Sequence, residues 1–481
     1  MDLIFYFLFL WFCIFFLGLC FIIFFPIDYN NKNRLSDKKL RDLLSHFSTY
    51  RLRNEDFERT DLLGVAYEYL IKQFADSAGK KGGEFYTPAE VVRLIVKLIK
   101  PKAGMRVYDP TCGSGGMLIE ARHFLEENGE NPANMTLAGQ ELNLSTWAIC
   151  KMNMFLHGVY SADIRKGDVL ATPQHIKDGE LQPFDRVIAN PPFSWAWDPK
   201  TVENDPFQRF PFGVPSKSAA DLAFVQHMLA SLNDEGMMGV VMPHGVLFRG
   251  SKEKQIREEI IKRDRLEAVV GLPSGLFYGT GIPASILILN KNKPKERKGK
   301  VLFINGDLEY QEGKNQNKLR EQDIEHIVRN FDDFKTETLY RHEEKNYSRV
   351  VEIEEIEEND FNLNMKRYAD TSPPPEIFDV KAILNGGIPT REVQDGYIQE
   401  ILGNFDVGLV FDERDKDYYV FKNEIESKEL IREVVGDAEQ AVIKQLERWW
   451  DKYSIPLRVI EEKCGETEKK MNSYLKELGY E

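Results

Sequence analysis

One short stretch, Asn190 to Phe193, combines residue types that could hold a planar amine. It follows the apolar run that ends at Ala189, which is typical of a buried strand. Two consecutive prolines fix the backbone and remove two donors, so the segment is rigid. The Asn190 amide oxygen and a proline carbonyl can both accept from one NH2 group, while Phe193 offers a face for stacking. An exocyclic amine on an aromatic base fits this pattern, although Asn-Pro alone more often marks a turn.

A glycine-rich loop, Asp109 to Gly116, offers a second binding element. It follows a candidate strand and opens a helical pattern around Met117 to Leu125. Glycines let the backbone approach a ligand closely, and a helix start presents free N–H groups to an anion such as a carboxylate. The loop lacks the Gly-Lys-Ser/Thr of a nucleotide-phosphate loop, and Leu118 replaces the third glycine of the dinucleotide fingerprint.

Two further acids are candidates: Glu141 ends the second candidate strand, and Asp168 lies in a third turn, Lys166 to Val169. Glu141 is placed to accept hydrogen bonds from two ribose hydroxyls, and Asp168 could accept from the amino group of an adenine. Each alone is more often a cap or a turn residue, but in a doubly wound sheet all these strand ends lie along one crevice. The ligand implied has a carboxylate, a ribose and an adenine but no phosphate, which describes S-adenosylmethionine.

The elements that must position these residues are those of an α/β fold. From about residue 104 to 306 apolar runs alternate with helical patterns, which predicts a doubly wound, seven-stranded, mostly parallel sheet with helical N- and C-terminal regions. The seven predicted strands are Arg106–Asp109, Leu137–Glu141, Asp185–Asn190, Gly239–Met242, Leu266–Gly271, Ser285–Asn290 and Val301–Ile304.

Helices are predicted within 35–78, and again after Thr87-Pro88, where Thr87 would cap an amphipathic helix. After about residue 307 the sheet pattern stops. The Trp449-Trp450 pair near the end suits docking against another surface or core packing equally. The predicted divisions are 1–27 (an apolar segment), 28–83 (a helical remnant), 84–320 (the catalytic domain), 321–422 (a mixed region contacting partner subunits) and 423–481 (a helical region).

Composition limits the partners. The chain has 63 Lys and Arg against 77 Asp and Glu, so phosphate contacts must come from local basic patches or a partner subunit. Five cysteines without a CxxC pair argue against a structural zinc site and predict no metal. The basic run Lys291 to Lys300 is interpreted as a solvated hairpin loop, with a phosphate contact as the alternative.

The residues from Leu3 to Phe25 carry no charge and are long enough to cross a bilayer as a helix. The basic residues that follow would leave the remaining chain in the cytoplasm, tethered to the membrane if the segment is a genuine span. The competing interpretation is a mistaken start of the reading frame.

The chain resembles the modification (M) subunit of type I restriction-modification systems, which are N6-adenine DNA methyltransferases. The resemblance covers about residues 57–390. Its motifs are Gly83-Glu84-Phe85-Tyr86-Thr87-Pro88, the loop from Asp109 to Gly116, Gln140-Glu141-Leu142-Asn143, Lys166-Gly167-Asp168, Asn190-Pro191-Pro192-Phe193, Asp221-Leu222-Ala223-Phe224-Val225-Gln226-His227, Phe361-Asn362-Leu363-Asn364 and Gly386-Gly387-Ile388-Pro389.

The resemblance implies transfer of a methyl group from S-adenosylmethionine to an adenine flipped out of the duplex. Asn190, Pro191, Pro192 and Phe193 would hold that adenine. The partners it implies are double-stranded DNA, a specificity (S) subunit, a second M subunit and, where a nuclease is present, a restriction (R) subunit. The expected cofactor-binding residues are Glu84, Phe85, Tyr86, Thr87, Pro88, Asp109, Thr111, Gly113, Ser114, Gly115, Gly116, Glu141 and Asp168.

Two other functions stay open from the sequence. The amide nitrogen of a glutamine side chain is also a planar NH2 group, so a protein-glutamine methyltransferase is one alternative. The helical part before Phe85 is shorter than members of the family usually carry, so a truncated, non-catalytic, partner-binding subunit is the other. The segment from Trp195 to Lys217 either closes over the flipped base or is a packed surface loop, and His227 and His244 are interpreted as structural.

Overall fold

A computed structural model describes residues 37–49, 62–78, 86–277, 281–313, 316–339, 345–373, 378–436, 440–478 and 480. The chain divides into two compact units, the first made of Met1–Lys335 and Ser348–Tyr368, the second of Thr336–Tyr347 and Ala369–Glu481. The apolar segment Leu3 to Phe25, together with Glu84 and Phe85, lies outside the described residues. Within the described ranges no helix is long and apolar enough to cross a membrane.

The first unit begins with the predicted helices. These are α1 (Asp37–Ser48), α2 (Leu62–Ala78) and α3 (Ala89–Ile99). Helix α3 buries every apolar residue of its predicted stripe, from Val91 to Ile99. Pro88, rather than Thr87, is its N-cap residue, and no side chain caps the helix. The prediction of Thr87 as the cap is therefore wrong, because the Thr87 hydroxyl accepts a hydrogen bond from Asn190 instead.

The sheet contains all seven predicted strands and others besides. Its strands are β1 (Arg106–Asp109), β2 (Thr136–Glu141), β3 (Asp163–Lys166), β6 (Phe184–Ala189), β7 (Leu232–Pro243), β8 (Leu266–Gly271), β9 (Ala284–Asn290), β10 (Lys300–Asn305) and β12 (Asn346–Glu352). They lie in the order β12-β10-β8-β9-β7-β6-β1-β2-β3. A separate ribbon pairs β4 (Ile176–Lys177) with β5 (Glu180–Leu181). The mostly parallel α/β fold is thus confirmed.

Strands β3 and β12 of the sheet were not predicted. Strand β3 is short and contains one apolar residue, Ile164, among three charged ones, so its apolar content is too low to predict a buried strand. Strand β12 pairs antiparallel with β10, with Leu302 opposite Val350. The expectation that the sheet pattern stops after about residue 307 is therefore wrong, because β12 returns to the sheet after a helix.

Helices connect the strands. They are α4 (Gly116–Glu127), α5 (Leu144–Leu156), α6 (Asp221–Ala230), α7 (Ser251–Lys262), α8 (Glu321–Asp333) and α9 (Ile353–Glu358). Strand β1 lies between β2 and β6 and is parallel to both. The chain passes from β1 to β2 on one side and only later to β6 on the other, so the strand order reverses at β1. In open α/β sheets ligands bind at the carboxyl ends of the strands beside such a reversal.

The basic run Lys291 to Lys300 is not a solvated hairpin. It joins β9 to β10, which are separated in the sheet by β8. Lys293 is 3% exposed, and its Nζ lies 2.5 Å from Asp264 Oδ1. The Arg297 guanidinium donates to Glu267, a carboxylate with no exposed surface. The hairpin prediction is wrong because β8 lies between β9 and β10, and because Lys293 and Arg297 pair with carboxylates of β8 and of the turn before it.

The second unit has its own core. Its strands are β11 (Glu337–Thr338), β13 (Ile388–Pro389), β14 (Phe411–Asp415) and β15 (Tyr418–Phe421), and the last three form a sheet in the order β13-β15-β14. Its helices are α10 (Val380–Asn385), α11 (Thr390–Val393), α12 (Gly396–Leu402), α13 (Lys428–Val435), α14 (Gln440–Tyr453) and α15 (Leu457–Glu477). Trp449 is fully buried in this core, where its ring lies 5.6 Å from that of Phe411. For Trp449 the structure therefore selects core packing over docking.

Candidate functional site

The glycine-rich loop turns sharply between β1 and α4. Asp109 ends β1, and its Oδ1 accepts from the Thr111 backbone N–H at 2.9 Å. Gly113 and Gly115 have φ values of 52° and 84°, in the left-handed region that favours glycine. A Cβ at Gly115 would also meet Cys150 Sγ at 2.8 Å. Helix α4 begins directly after this turn, as the sequence predicts.

Glu141 connects the second strand to the glycine-rich loop. Its Oε2 accepts from the Gly113 N–H at 3.1 Å, and its Oε1 accepts from the Asn143 N–H at 2.8 Å. Asp168 lies in the turn after β3 and accepts from the N–H groups of Leu170 and Ala171. Both acids thus lie at the carboxyl ends of parallel strands, β2 and β3, along the same edge of the sheet as Asp109.

Asn190 follows β6 and is oriented by a residue far away in the sequence. Its Nδ2 donates to Thr87 Oγ1 at 2.9 Å. Its Oδ1 is buried and has no hydrogen-bond partner within the described part of the chain. A buried acceptor without a partner is costly, and in native structures it is commonly explained by a missing ligand or water. The hydrogen bond to Thr87 therefore keeps the amide oxygen available.

An open cleft of about 750 Å³ joins Asn190 to the glycine-rich loop. Among the predicted residues it is lined by Tyr86, Thr87, Asp109, Thr111, Gly113, Ser114, Gly116 and Asn190. The other predicted residues that the structure describes do not line it, namely Pro88, Gly115, Glu141, Asp168, Pro191, Pro192 and Phe193. The cleft thus brings Asn190 together with seven of the expected cofactor-binding residues at the reversal of the strand order.

The pKa values of two carboxyl groups at this cleft, the buried Asp109 and the half-buried Glu120, are raised. Burial raises the pKa of Asp109 to about 8, the Thr111 N–H opposes that rise, and the charge of Glu141 adds to it. Burial also raises the pKa of Glu120 to about 7. Glu120 lines the cleft together with His123 and Glu68, and sequence reasoning missed all three. The available signal for Glu120 was its position one helical turn after Gly116, on the same face of α4.

The segment from Trp195 to Lys217 is anchored by one buried arginine. Arg209 is 1% exposed and pairs with Asp205 at 2.7 Å. It also donates to the carbonyl oxygens of Val169 and Leu170, directly after Asp168. The Trp197 ring packs beside Phe210. These contacts favour the packed loop of the two interpretations, and they connect that loop to the Asp168 turn.

His227 is buried and electrically neutral. Burial and the nearby charge of Arg209 hold its pKa well below the usual range. Because the Arg209 guanidinium can only donate to Nδ1, the ring proton belongs on Nε2, which then donates to Tyr108 Oη at 3.3 Å. This supports a structural role beneath the cleft. Phe193, by contrast, is half-buried with its ring edge-on to Phe277 at 5.8 Å.

The cleft residues fit a ligand such as S-adenosylmethionine. The start of α4 can receive a carboxylate, and a positively charged ligand would favour the ionised forms of Asp109 and Glu120, whose pKa values burial raises. Thr111 Oγ1 is buried without a hydrogen-bond partner in the described ranges, so the glycine-rich loop also holds an unused polar atom. Among the described residues no cluster of His, Cys, Asp and Glu could hold a metal ion.

A family model described as N-6 DNA Methylase matches residues 58–376, about two thirds of the chain. The chain belongs to this family. The expected resemblance to type I modification subunits is confirmed by proteins whose names carry that description. The MjaVIII methylase subunit of Methanocaldococcus jannaschii is 39% identical over 401 residues, which are 79% of this chain and 65% of the relative.

A second curated relative and a solved structure agree with this assignment. The MpnII methylase subunit of Mycoplasma pneumoniae is 36% identical over 363 residues, which are 73% of this chain and 64% of the relative. A crystal structure of the methyltransferase subunit of a type I restriction-modification system from Streptococcus thermophilus is 34% identical. It superposes with a TM-score of 0.62 over 72% of each chain. The chain spans less than two thirds of the length of the two curated relatives.

Proposed function

We propose that this chain is the catalytic modification subunit of a type I restriction-modification complex and transfers methyl groups to the N6 atom of adenine in DNA. Family membership supports the reaction class. The observation that carries the proposal is Asn190, whose Nδ2 is bonded to Thr87 while its Oδ1 stays buried and unpartnered at the cleft. A free acceptor at the end of a rigid Asn-Pro-Pro segment suits an exocyclic amine.

The residues have distinct roles in this proposal. S-adenosylmethionine would supply an electrophilic methyl group. The start of α4 and the Thr111 hydroxyl would hold its polar end, and Glu141 and Asp168, farther along the sheet edge, its ribose and adenine. The donor-side residues proposed are Glu84 to Pro88, Asp109, Thr111, Gly113 to Gly116, Glu141 and Asp168.

On the acceptor side, Asn190 Oδ1 and the Pro191 carbonyl accept from the amine of a flipped adenine. Pro192 keeps the segment rigid, and Phe193 supplies an aromatic face. Two acceptors on the amine hydrogens favour a pyramidal nitrogen whose lone pair is directed at the methyl group. Orientation of this kind can supply about 7–11 kcal/mol of a barrier. No strong base is needed, because the methylated ammonium readily loses its proton.

The partners proposed are double-stranded DNA, an S subunit, a second M subunit and, where a nuclease is present, an R subunit, all in the cytoplasm. Helix α15 supports partner binding, since none of its residues is buried. Its apolar and small residues alternate at spacings of three and four, the pattern of a helix that packs on another helix. The positions are Leu457, Ile460, Cys464, Thr467, Met471 and Tyr474.

Reconstitution with the S subunit tests the proposed reaction. The complex should transfer labelled methyl from S-adenosylmethionine to DNA, and the product should be N6-methyladenine. Asn190→Ala should abolish transfer and spare cofactor binding, while the exposed control Asn134→Ala should leave both unchanged. Transfer to protein glutamine instead of DNA, or loss of cofactor binding in Asn190→Ala, would contradict the proposal.

The partner surface is tested separately by co-purification with the S subunit. Ile460→Glu and Met471→Glu place charges on the α15 stripe and should release the S subunit. Glu462→Lys, on the opposite face of the same helix, should not. Retention of the S subunit by both stripe variants would exclude α15 as the contact.

A further inference from the structure

A buried carboxylate that the proposed reaction does not use contacts the residue after the acceptor segment, which is Asn190 to Phe193. Asp221 is the first residue of α6 and is 1% exposed. Its Oδ1 accepts from the Ser194 backbone N–H at 2.8 Å, and its Oδ2 accepts from Arg249 Nη1 at 2.8 Å. Buried charges are retained where they are paired and hydrogen-bonded in this way.

The same three residues form a closed ring. Arg249 Nη2 donates to Ser194 Oγ at 3.1 Å. Ser194 follows the acceptor segment after β6, Asp221 begins α6, and Arg249 lies in the turn after β7. The Ala220 N–H also donates to the Trp195 carbonyl at 2.9 Å. Three chain segments are thus fastened together immediately beyond Phe193.

The ring holds a strained conformation. Ser194 has a φ of 52°, in the left-handed region that side-chain-bearing residues rarely adopt. Such a conformation persists only where the surrounding contacts impose it, and it often occurs at functional sites. Because Ser194 adjoins Phe193, its backbone sets the direction of the chain that leaves the acceptor segment.

We propose that Asp221, together with Arg249, is a positioning residue for the methyl acceptor. By clamping Ser194, it holds Asn190 to Phe193 in the arrangement that receives a planar aromatic amine. This inference rests on the proposed function. Asp221 does not line the cleft and does not touch the reacting groups, so its removal acts through the acceptor segment alone.

Substitution of Asp221 should slow turnover and leave cofactor binding unchanged. Asp221→Ala should lower kcat for DNA methylation by about 10²-fold, the effect expected for a displacement of about 1 Å. The Kd for S-adenosylmethionine should stay within about twofold, because the donor-side residues keep their contacts. Asp221→Asn retains an acceptor for the Ser194 N–H and should lose less. Asp333→Asn, an exposed residue of α8, is the matched control.

A second substitution distinguishes positioning from general destabilisation. Glycine adopts positive φ without the penalty of a Cβ, so Ser194→Gly added to Asp221→Ala should restore part of the lost kcat. The free energy of unfolding of each variant is measured as well, because a merely structural defect would recover only in proportion to the folded fraction, whereas a positioning defect recovers kcat beyond it. Arg249 keeps a partner in these variants, since Glu253 lies 3.6 Å away. If Asp221→Ala does not fold, Asp221→Asn with and without Ser194→Gly gives the same comparison.

Amide hydrogen exchange provides a readout that needs no enzymatic activity. Backbone amides of residues 190–197 should exchange faster in Asp221→Ala than in the wild-type chain and in Asp333→Asn. Unchanged exchange, wild-type kcat, or a parallel loss of cofactor binding and turnover would overturn the inference. If the wild-type complex fails to methylate DNA, the proposed function fails. The exchange experiment still decides whether Asp221 holds Ser194 and the neighbouring residues in place.

Discussion

Replacing Thr87 with valine removes the acceptor that orients Asn190 and preserves the shape of the side chain. The Asn190 Nδ2–Thr87 Oγ1 bond of 2.9 Å determines which end of the amide faces the cleft. Without it, a buried N–H loses its partner, which costs about 1–3 kcal/mol. The amide can then turn its oxygen away from the amine. At about 1.4 kcal/mol for each factor of ten, the methyl-transfer rate should fall roughly 5- to 150-fold.

The assay is single-turnover methylation of DNA at saturating cofactor, with S-adenosylmethionine affinity measured separately, since Thr87 is also proposed on the donor side. Thr87→Ser keeps the hydroxyl and lacks only the methyl group on Cβ. It should therefore recover most of the rate. A valine variant that transfers at the wild-type rate would refute the orienting role. A rate loss fully explained by weaker cofactor binding would refute it as well.

Three further predictions concern stability. The pKa of Asp109 is raised from 3.8 to about 8, so the folded chain keeps a proton that the unfolded chain has released. The free energy of unfolding should therefore fall as pH rises from about 4 to about 8. In the variant Asp109→Asn this free energy, measured by urea unfolding at each pH, should depend less on pH. Gly115→Ala should destabilise more than Gly129→Ala, because both have positive φ but only Gly115 lacks space for a Cβ; equal midpoints in urea would contradict this. Glu392→Leu should cost about 2–4 kcal/mol by leaving Trp449 Nε1 without its acceptor, and a calorimetric melt that is unchanged would disprove it.

The strands that position the site were predictable because each is a compact apolar run bounded by turn residues. Strand β1 has the predicted bounds, β2 begins one residue earlier than predicted, and β6 is shifted by one residue at both ends. Their order in the chain placed the glycine-rich loop and Asn190 at the same sheet edge. Strand β3 escaped prediction because a short edge strand need bury little apolar surface.

Charged and polar residues were harder to predict. The run from Lys291 to Lys300 has the composition of a solvated loop, yet Lys293 is bonded to Asp264 and Arg297 to the buried Glu267. Asp221 belonged to a recognisable motif, but its motif did not indicate which groups its carboxylate would meet. The partners of such residues are contributed by distant segments, and no local pattern specifies them.

The sequence by itself determined the reaction chemistry available to this protein: an Asn-Pro-Pro-Phe segment, a glycine-rich loop and acids at successive strand ends. These are local features, because residue type and strand-end position fix what each group can donate or accept. Only the tertiary structure decided how the groups are held. Thr87 and Asn190 are 103 residues apart in the chain, and the clamp on Ser194 draws on three separate segments. Hydrogen bonds between such segments exist only after the sheet and its connecting helices have packed.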